Sequence, residues 1–388
     1  MRITAVRPIL AQGERRIFVF VKVETDQAGL VGWGEATVEG KPRAVAGCVQ
    51  DMEPMVLGYD PLEVEHCWQV LYRGGFWRQG IIGLSALSGI DQALWDIKGK
   101  EAGKPIYELL GGKVRERVRM YTHFGGSTPE EMARSARSKA DKGWNAIKTV
   151  PVPITNIVDG PAVLDEAEAG LRAVREAVGN DVDILLDMHG RVTPQMAIRY
   201  ARRFEPYEPF FMEEPVQAEN PAAMAQVAKA TNIPIATGER LLTRWGFREI
   251  LETGAASLLQ PDACHAGGIS EVRRIGAQAE VYYAGLAPHN PYGPISTAAC
   301  VQVDFATPNF VIQEMVDPDD MPISMTEFVE ESLKVVDGHI LPPDRPGLGV
   351  ELDEAACARC EPDFSSTAVL NSYRSYLARH SDGGVADS

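Results

Sequence analysis

The pattern of hydrophobic and polar positions changes near residue 115. Before that point, stretches rich in Val, Ile and Phe are separated by turn sequences, and they predict a small antiparallel meander over residues 3–10, 17–25 and 31–36. Apolar residues then recur every three or four positions, which predicts helices over residues 41–58, 61–72 and 84–99. Strands followed by helices favour a separate α+β unit.

After residue 115, short apolar runs alternate with helical stretches rich in Ala, Glu and Arg. The runs cover residues 118–122, 146–149, 182–187, 210–213, 234–239, 257–262, 284–289 and 310–314. Continuous apolar runs are typical of parallel strands that are buried on both faces, and eight strand–helix units predict an α/β fold, a (β/α) barrel of the TIM type. We therefore predict an α+β capping domain at residues 1–115, completed by about 328–388, and a catalytic barrel at residues 116–327.

Composition narrows the possible partners. The 388-residue chain is 45% hydrophobic and 24% charged, as globular proteins are, and its net charge is -16. This acidity argues against nucleic acid or an anionic membrane as the main partner. The N-terminus does not resemble a signal peptide, and the six cysteines are too scattered for a disulfide framework. We expect a cytoplasmic protein with reduced thiols.

Three consecutive predicted strands end in a carboxylate. Asp187, Glu213 and Glu239 follow one another at intervals of 26 residues, so they occupy equivalent places in consecutive units. Active sites of such barrels lie at the carboxyl ends of the strands, where three like charges need a compensating cation. A ligand set made only of oxygen atoms favours Mg²⁺. The alternative is that each acidic residue merely caps the following helix.

Two histidines are candidates for acid and base. His189 lies two residues after Asp187, so an extended chain would turn both side chains toward the same cavity. In that cavity His189 could act as an acid, bind the metal as a fourth ligand or have a structural role. His289 follows the strand after the one that ends in Asp262. A carboxylate on an adjacent strand can orient an imidazole as a general base, although a purely structural hydrogen bond is the alternative.

Two further strand-end residues complete the candidate site. Lys148 follows an apolar run and can contact a substrate anion or a developing oxyanion, unless it is a surface lysine. Glu314 ends the eighth run, and a protonated Glu314 could donate a hydrogen bond to the same oxyanion. We therefore include both residues in the predicted catalytic group.

Several motifs around these residues resemble the mandelate racemase subgroup of the enolase superfamily, and within it the D-galactonate dehydratase branch. The motifs are Leu186-Asp187-Met188-His189-Gly190-Arg191, Phe211-Met212-Glu213-Glu214-Pro215, Thr237-Gly238-Glu239-Arg240, Leu259-Gln260-Pro261-Asp262, His265-Ala266-Gly267-Gly268-Ile269 and Ala287-Pro288-His289. The resemblance extends to the N-terminal motifs Gly32-Trp33-Gly34-Glu35 and Gly89-Ile90-Asp91-Gln92-Ala93-Leu94-Trp95-Asp96.

The resemblance implies a function for each candidate residue. Asp187, Glu213 and Glu239 would bind Mg²⁺, Asp262 and His289 would act as a dyad, and Glu314 and Lys148 would hold the substrate or its enediolate. The first glutamate of the Glu-Glu-Pro motif is the family's ligand, so Glu214 is not included. Racemases of the subgroup carry a second lysine where this chain has Val150, so the opposite-face base of a two-base proton transfer is missing.

The expected activity is that of an acid sugar dehydratase, a carbon–oxygen lyase that removes the C2 proton and the 3-hydroxyl of an aldonate. His189 would be the acid that expels the hydroxyl. The alternatives are a dehydratase for another aldonate such as gluconate, an epimerase or racemase of a carboxylate substrate, and a non-catalytic barrel protein. The expected partners are a small acid sugar and further copies of the chain in a homo-oligomer.

Overall fold

The computed structural model describes residues 1–366, 369–370, 373, 377–380 and 382–387. A barrel of eight parallel strands forms the larger part of the molecule. These strands are β4 (Val118–His123), β5 (Ala146–Thr149), β6 (Asp183–Asp187), β7 (Phe211–Glu213), β8 (Ile235–Thr237), β9 (Leu258–Leu259), β10 (Gly285–Leu286) and β11 (Gln313–Glu314). All eight predicted runs form strands, and the predicted fold class is confirmed.

Neighbouring strands in the sequence are also neighbours in the sheet. The order runs from β4 to β10, and β11 pairs in parallel with β4. A parallel bridge between Leu286 and Phe310 joins β10 to the residues just before β11 and so closes the barrel. Beside this bridge, Val311 N donates a 2.8 Å hydrogen bond to Leu286 O. Closure brings the carboxyl ends of all eight strands to one mouth.

Side chains rather than solvent fill the barrel interior. Each of the eight strand regions contributes one residue to a buried apolar cluster: Tyr121, Ala146, Leu185, Phe211, Ala236, Leu258, Ala287 and Ile312. Three alanines are combined with five larger side chains, so that the layer fills the barrel cross-section. This apolar layer lies beneath the mouth that holds the residues at the strand ends.

The strands are connected by helices that cover the outside of the barrel. They are α5 (Pro129–Asp141), α6 (Pro161–Val178), α7 (Pro194–Phe204), α8 (Pro221–Ala228), α9 (Thr243–Thr253), α10 (Gly268–Val281) and α11 (Pro294–Ala306). Several begin with a polar cap followed by proline. Thr128, Thr193 and Asn220 each accept a hydrogen bond from a backbone amide three residues further on. These caps satisfy amides that have no partner inside the helix, and proline at the next position already has a helical φ.

The N-terminal residues form an antiparallel sheet packed on helices. The sheet contains β1 (Ile3–Gln12), β2 (Ile17–Thr25) and β3 (Val31–Glu35), and the helices are α1 (Pro42–Val56), α2 (Val64–Arg73), α3 (Gly80–Ala102) and the short α4 (Ile106–Leu109). All three predicted strands and all three predicted helices are present. β3 lies directly on α3, because a Cβ atom at Gly32 or Gly34 would collide with the backbone of Ala93 or Gly89.

The C-terminal residues return to the N-terminal sheet. After a π-helical turn (Ile323–Glu327), β12 (His339–Ile340) pairs antiparallel with β4, and α12 (Glu354–Arg359) follows. Gln12 N donates to Cys360 O at 2.6 Å, and Lys22 forms a 2.7 Å ion pair with Glu354. The short strands β13 (Ala378–Arg379) and β14 (Val385–Ala386) form a hairpin.

These contacts agree with a cap completed by the C-terminal segment, but the exact domain boundaries remain a prediction. Part of the predicted segment 328–388 lies outside the described residues, namely positions 367–368, 371–372, 374–376, 381 and 388. All six cysteines are free thiols. Among the described residues, no helix has the length and apolar character needed to cross a membrane.

Candidate active site

Three carboxylates converge at the barrel mouth. Asp187 and Glu213 end adjacent strands and pair directly in the β6–β7 register, and Glu239 lies two residues beyond β8. Oxygen atoms from all three side chains lie within 4.8 Å of one another. Gly238, with φ +148°, lets the chain pass close to Gln260 and Phe247 before it presents Glu239 to the mouth. The structure therefore brings together the three predicted metal ligands.

Glu214 takes a different direction from its neighbour Glu213. Its carboxylate forms a 2.6 Å ion pair with Arg240, and the backbone of Glu214 has a positive φ of 37°. Burial, together with the nearby Glu239, raises the pKa of Glu214 to about 7 despite Arg240. The strained backbone turns Glu214 toward Arg240, whereas Glu213 faces Asp187 and Glu239. These three converging carboxylates, Asp187, Glu213 and Glu239, are called the triad below.

Lys148 is buried at the centre of the site and is not a surface lysine. Its side chain is 4% exposed, and Nζ lies 2.7 Å from Glu314, 3.0 Å from Glu213 and 3.2 Å from Asp187. Burial alone would lower the pKa of Lys148, but the surrounding carboxylates outweigh it and raise the pKa well above its usual value. The surrounding carboxylates therefore favour the charged form of Lys148.

Asp262 and His289 form the predicted pair. The Nδ1 atom of His289 lies 2.6 Å from an oxygen of Asp262, and Nε2 faces the triad at 3.1 Å from Glu239. Asp262 is completely buried, and its other oxygen accepts a hydrogen bond from the Cys264 amide. Burial lowers the pKa of His289, but Glu239, Glu314 and Asp262 outweigh this effect and raise it to about 10.

His189 approaches the triad from Asp187. Its Nε2 lies 3.2 Å from an Asp187 oxygen, and its side chain is 37% exposed. The expectation of an extended chain is wrong here: His189 has a φ of +50° and Gly190 one of +65°, so the backbone turns sharply after β6. The turn lets Asp187 accept a hydrogen bond from the His189 amide and directs the imidazole to the mouth.

Glu314 is an acceptor and not the hydrogen-bond donor that a protonated carboxyl would be. One oxygen faces Lys148 and His123 at 2.7 Å each, and the other accepts from the Asn290 amide at 2.8 Å. Burial alone would raise the pKa of Glu314, but Lys148, His289 and His123 outweigh it and hold the pKa well below its usual value. Glu314 is therefore ionised.

Sequence reasoning missed His123. It ends β4 and lies beside Glu314 at the mouth, although the first apolar run was taken to end at Thr122. The signal was available, because His123 directly follows a strand just as the other strand-end residues do. The barrel mouth therefore brings His123 together with His189 and His289.

The charges of this site fit a divalent cation. Lys148 contacts three carboxylates, those of Asp187, Glu213 and Glu314, and Glu239 adds a fourth at the mouth. Burial and the adjacent Asp187 raise the pKa of Glu213 well above its usual value, which indicates a shortage of positive charge. Three converging carboxylate oxygens are ligands suited to a hard cation.

Comparison with known sequences assigns the family. Residues 131–356 match the domain described as enolase C-terminal domain-like, and residues 6–111 match the mandelate racemase / muconate lactonizing enzyme N-terminal domain. The chain belongs to the enolase superfamily. D-galactonate dehydratase from Ralstonia nicotianae is 42% identical over 377 residues, which are 95% of this chain and 96% of that one. The enzyme of the same name from Cronobacter sakazakii is 41% identical over 374 residues, again 95% of this chain and 96% of the relative.

Solved structures of the superfamily agree with the fold. An enolase from Agrobacterium radiobacter, bound to sodium and L-malate, has a TM-score of 0.91 and 32% identity over 100% of both chains. A superfamily member from Salmonella Typhimurium has a TM-score of 0.87 and 37% identity, covering 92% of this chain and 98% of that one. The predicted class of hydro-lyase is the class of the named relatives, and a divalent metal is the cofactor expected for the superfamily.

Proposed function

We propose that this chain is a Mg²⁺-dependent acid sugar dehydratase whose substrate is an aldonate, with D-galactonate the first candidate. The observation that carries the proposal is that two imidazoles lie at the carboxylate triad, each beside a different proposed metal ligand. His289 lies 3.1 Å from Glu239, and His189 lies 3.2 Å from Asp187. A base and an acid are thus both available to a substrate that is held at the triad.

The metal would be held by Asp187, Glu213 and Glu239. Their all-oxygen ligand set favours Mg²⁺ over zinc, which prefers nitrogen and sulfur. When bound, the divalent cation supplies positive charge that acidifies the hydrogen beside the substrate carboxylate and offsets Glu239, the strongest cause of the raised pKa of His289.

The side chains of the protein then divide the reaction between them. Nε2 of His289 removes the C2 proton while Asp262 holds Nδ1, and the electron pair of the C2–H bond moves toward the carboxylate to give an enediolate. The charged Nζ of Lys148 stabilises the negative charge on the enediolate oxygen.

His189 completes the elimination. It donates its proton to the 3-hydroxyl as the C3–O bond breaks, so that the hydroxyl leaves as water. The resulting enol takes up a proton at C3 and becomes a 2-keto-3-deoxy acid. The reaction is balanced without an oxidant or a second substrate.

The relatives support this class of substrate. The two D-galactonate dehydratases match almost the whole chain, and the structural relative with L-malate holds a 2-hydroxy acid. Incubating the purified protein and Mg²⁺ with a set of aldonates, and measuring 2-keto acid formation, tests the proposal. We expect turnover of D-galactonate that EDTA abolishes. An absence of product from every aldonate would refute the dehydratase assignment.

Racemisation or epimerisation is the second candidate, because His189 and His289 could also act as two bases. Lys148 cannot be the second base, since its carboxylate neighbours keep it protonated. Deuterium exchange at C2 with inversion and without loss of water would favour the epimerase.

A further inference from the structure

His123 has no part in the reaction described above, yet it lies within the barrel mouth. Its side chain is 37% exposed, the same fraction as that of His189. In the β4–β5 register, His123 lies directly beside Lys148, and its Nε2 is 2.7 Å from Glu314. A histidine at this position is therefore accessible to the same substrate as the catalytic groups.

The hydrogen-bonding state of His123 follows from its neighbour. Nε2 of His123 lies 2.7 Å from a carboxylate oxygen of Glu314, so this ring nitrogen is the one that donates to Glu314. In the neutral imidazole, Nδ1 is then an acceptor. No described residue of the protein donates to that nitrogen. The exposed face of His123 thus offers an acceptor that suits a hydroxyl group.

The barrel order places His123 on the side of the mouth opposite Glu239. In a closed ring of eight strands, β4 lies opposite β8 and β11 lies opposite β7. Glu213 and Glu239 follow β7 and β8, whereas Glu314 and His123 end β11 and β4. A sugar acid whose carboxylate is held at the triad can therefore reach His123 with carbons that extend across the mouth.

We propose that His123 binds a hydroxyl of the substrate beyond C3 and, held by Glu314, forms a subsite that determines which acid sugar is accepted. This inference rests on the proposed dehydratase function. A substrate that lacks the contacted hydroxyl, or presents it in the other configuration, leaves Nδ1 without this hydrogen bond and is therefore bound less tightly in the transition state.

A cycle of substrate and protein changes tests the contact. The wild-type protein and His123→Phe, which keeps a ring but lacks Nδ1, are each assayed with the best aldonate and with its 4-deoxy, 5-deoxy and 6-deoxy analogues. For one analogue we expect kcat/KM of the wild type to fall by about 10- to 100-fold. His123→Phe should have a similarly reduced kcat/KM with the parent substrate and little further loss with that analogue.

The matched control is His66→Phe, which changes an exposed histidine of α2 whose ring lies against that of Tyr59 at a tilt of 46°. It should keep the wild-type preference among the analogues. His123→Asn, with a smaller side chain, is the second variant if His123→Phe does not fold.

The outcomes separate the two proposals. Suppose that the wild type is active. If the fold loss in kcat/KM caused by His123→Phe multiplies with the fold loss caused by each of the three deoxy analogues, His123 makes no contact with a substrate hydroxyl, and the inference is overturned. If the wild type dehydrates no aldonate, the proposed function itself is refuted.

Discussion

Replacing the two catalytic histidines one at a time separates proton removal from loss of the hydroxyl. His289→Asn keeps an amide that can donate to Asp262, as Nδ1 does at 2.6 Å, but it removes Nε2. His189→Asn removes the ring nitrogen that lies 3.2 Å from Asp187. Each change therefore deletes one proton-transfer atom from the site.

The loss from His289→Asn follows from the groups that remain. The Nε2 atom has Glu239 at 3.1 Å and Glu314 at 3.9 Å, but Glu239 is a proposed metal ligand and the low pKa of Glu314 makes it a weak base. With no effective substitute, loss of the base should slow C2 exchange and dehydration together by about 100- to 10,000-fold, or about 3–5 kcal/mol in activation free energy.

The loss from His189→Asn should affect one step only. The base, Asp262 and the metal ligands are unchanged, so C2 hydrogen should still exchange with solvent deuterium. Departure of the 3-hydroxyl should slow by about 100-fold or more, because the acid is missing.

The assay follows C2 exchange in D₂O by NMR and 2-keto acid formation in the same samples, with His66→Asn as the control at an exposed position of α2. Dehydration by His189→Asn at the wild-type rate would refute its role as the acid. Continued C2 exchange in His289→Asn would refute its role as the base.

Three further predictions concern the charged groups. Glu213→Gln should weaken Mg²⁺ binding in titration calorimetry and abolish turnover; full turnover at limiting Mg²⁺ would contradict the ligand assignment. Lys148→Met should destabilise the protein by about 3–5 kcal/mol, because three buried carboxylates lose the cation that they contact. Added Mg²⁺ should restore part of the lost thermal midpoint. A variant midpoint equal to that of the wild type would contradict this prediction. Burial raises the pKa of Glu35 to about 7, so the folded wild type binds more protons than the unfolded chain. As the pH rises from 4.5 to 7, the thermal midpoint of the wild type should therefore fall relative to that of Glu35→Gln. Thermal midpoints that change in parallel over this range would refute the prediction.

The three predicted metal ligands illustrate what local sequence pattern can supply. Each follows an apolar strand by a short, regular interval, and parallel strands in a barrel have their carboxyl ends at one mouth. The convergence of Asp187, Glu213 and Glu239 therefore needed only the strand period and the fold class. The pair Asp262 and His289 could be predicted for the same reason.

Glu35 shows what the local pattern cannot supply. Its buried carboxylate accepts hydrogen bonds from the amides of Gly293 and Ser296 at the start of α11, and so ties β3 to the loop that follows His289. These partners are separated by 258 and 261 residues. The motif around Glu35 was visible in the sequence, but no periodicity identifies its partner.

The sequence by itself determined the strand and helix periods, the barrel and the residues at strand ends, because these depend on local alternation and on equal spacing. Tertiary structure decided the charge states and the pairings. The ionised Glu314 depends on Lys148 and His123, which lie on β5 and β4. A pKa depends on burial and on charges a few ångströms away. His123 and Glu314 are 191 positions apart in the sequence and come into contact only because the barrel closes.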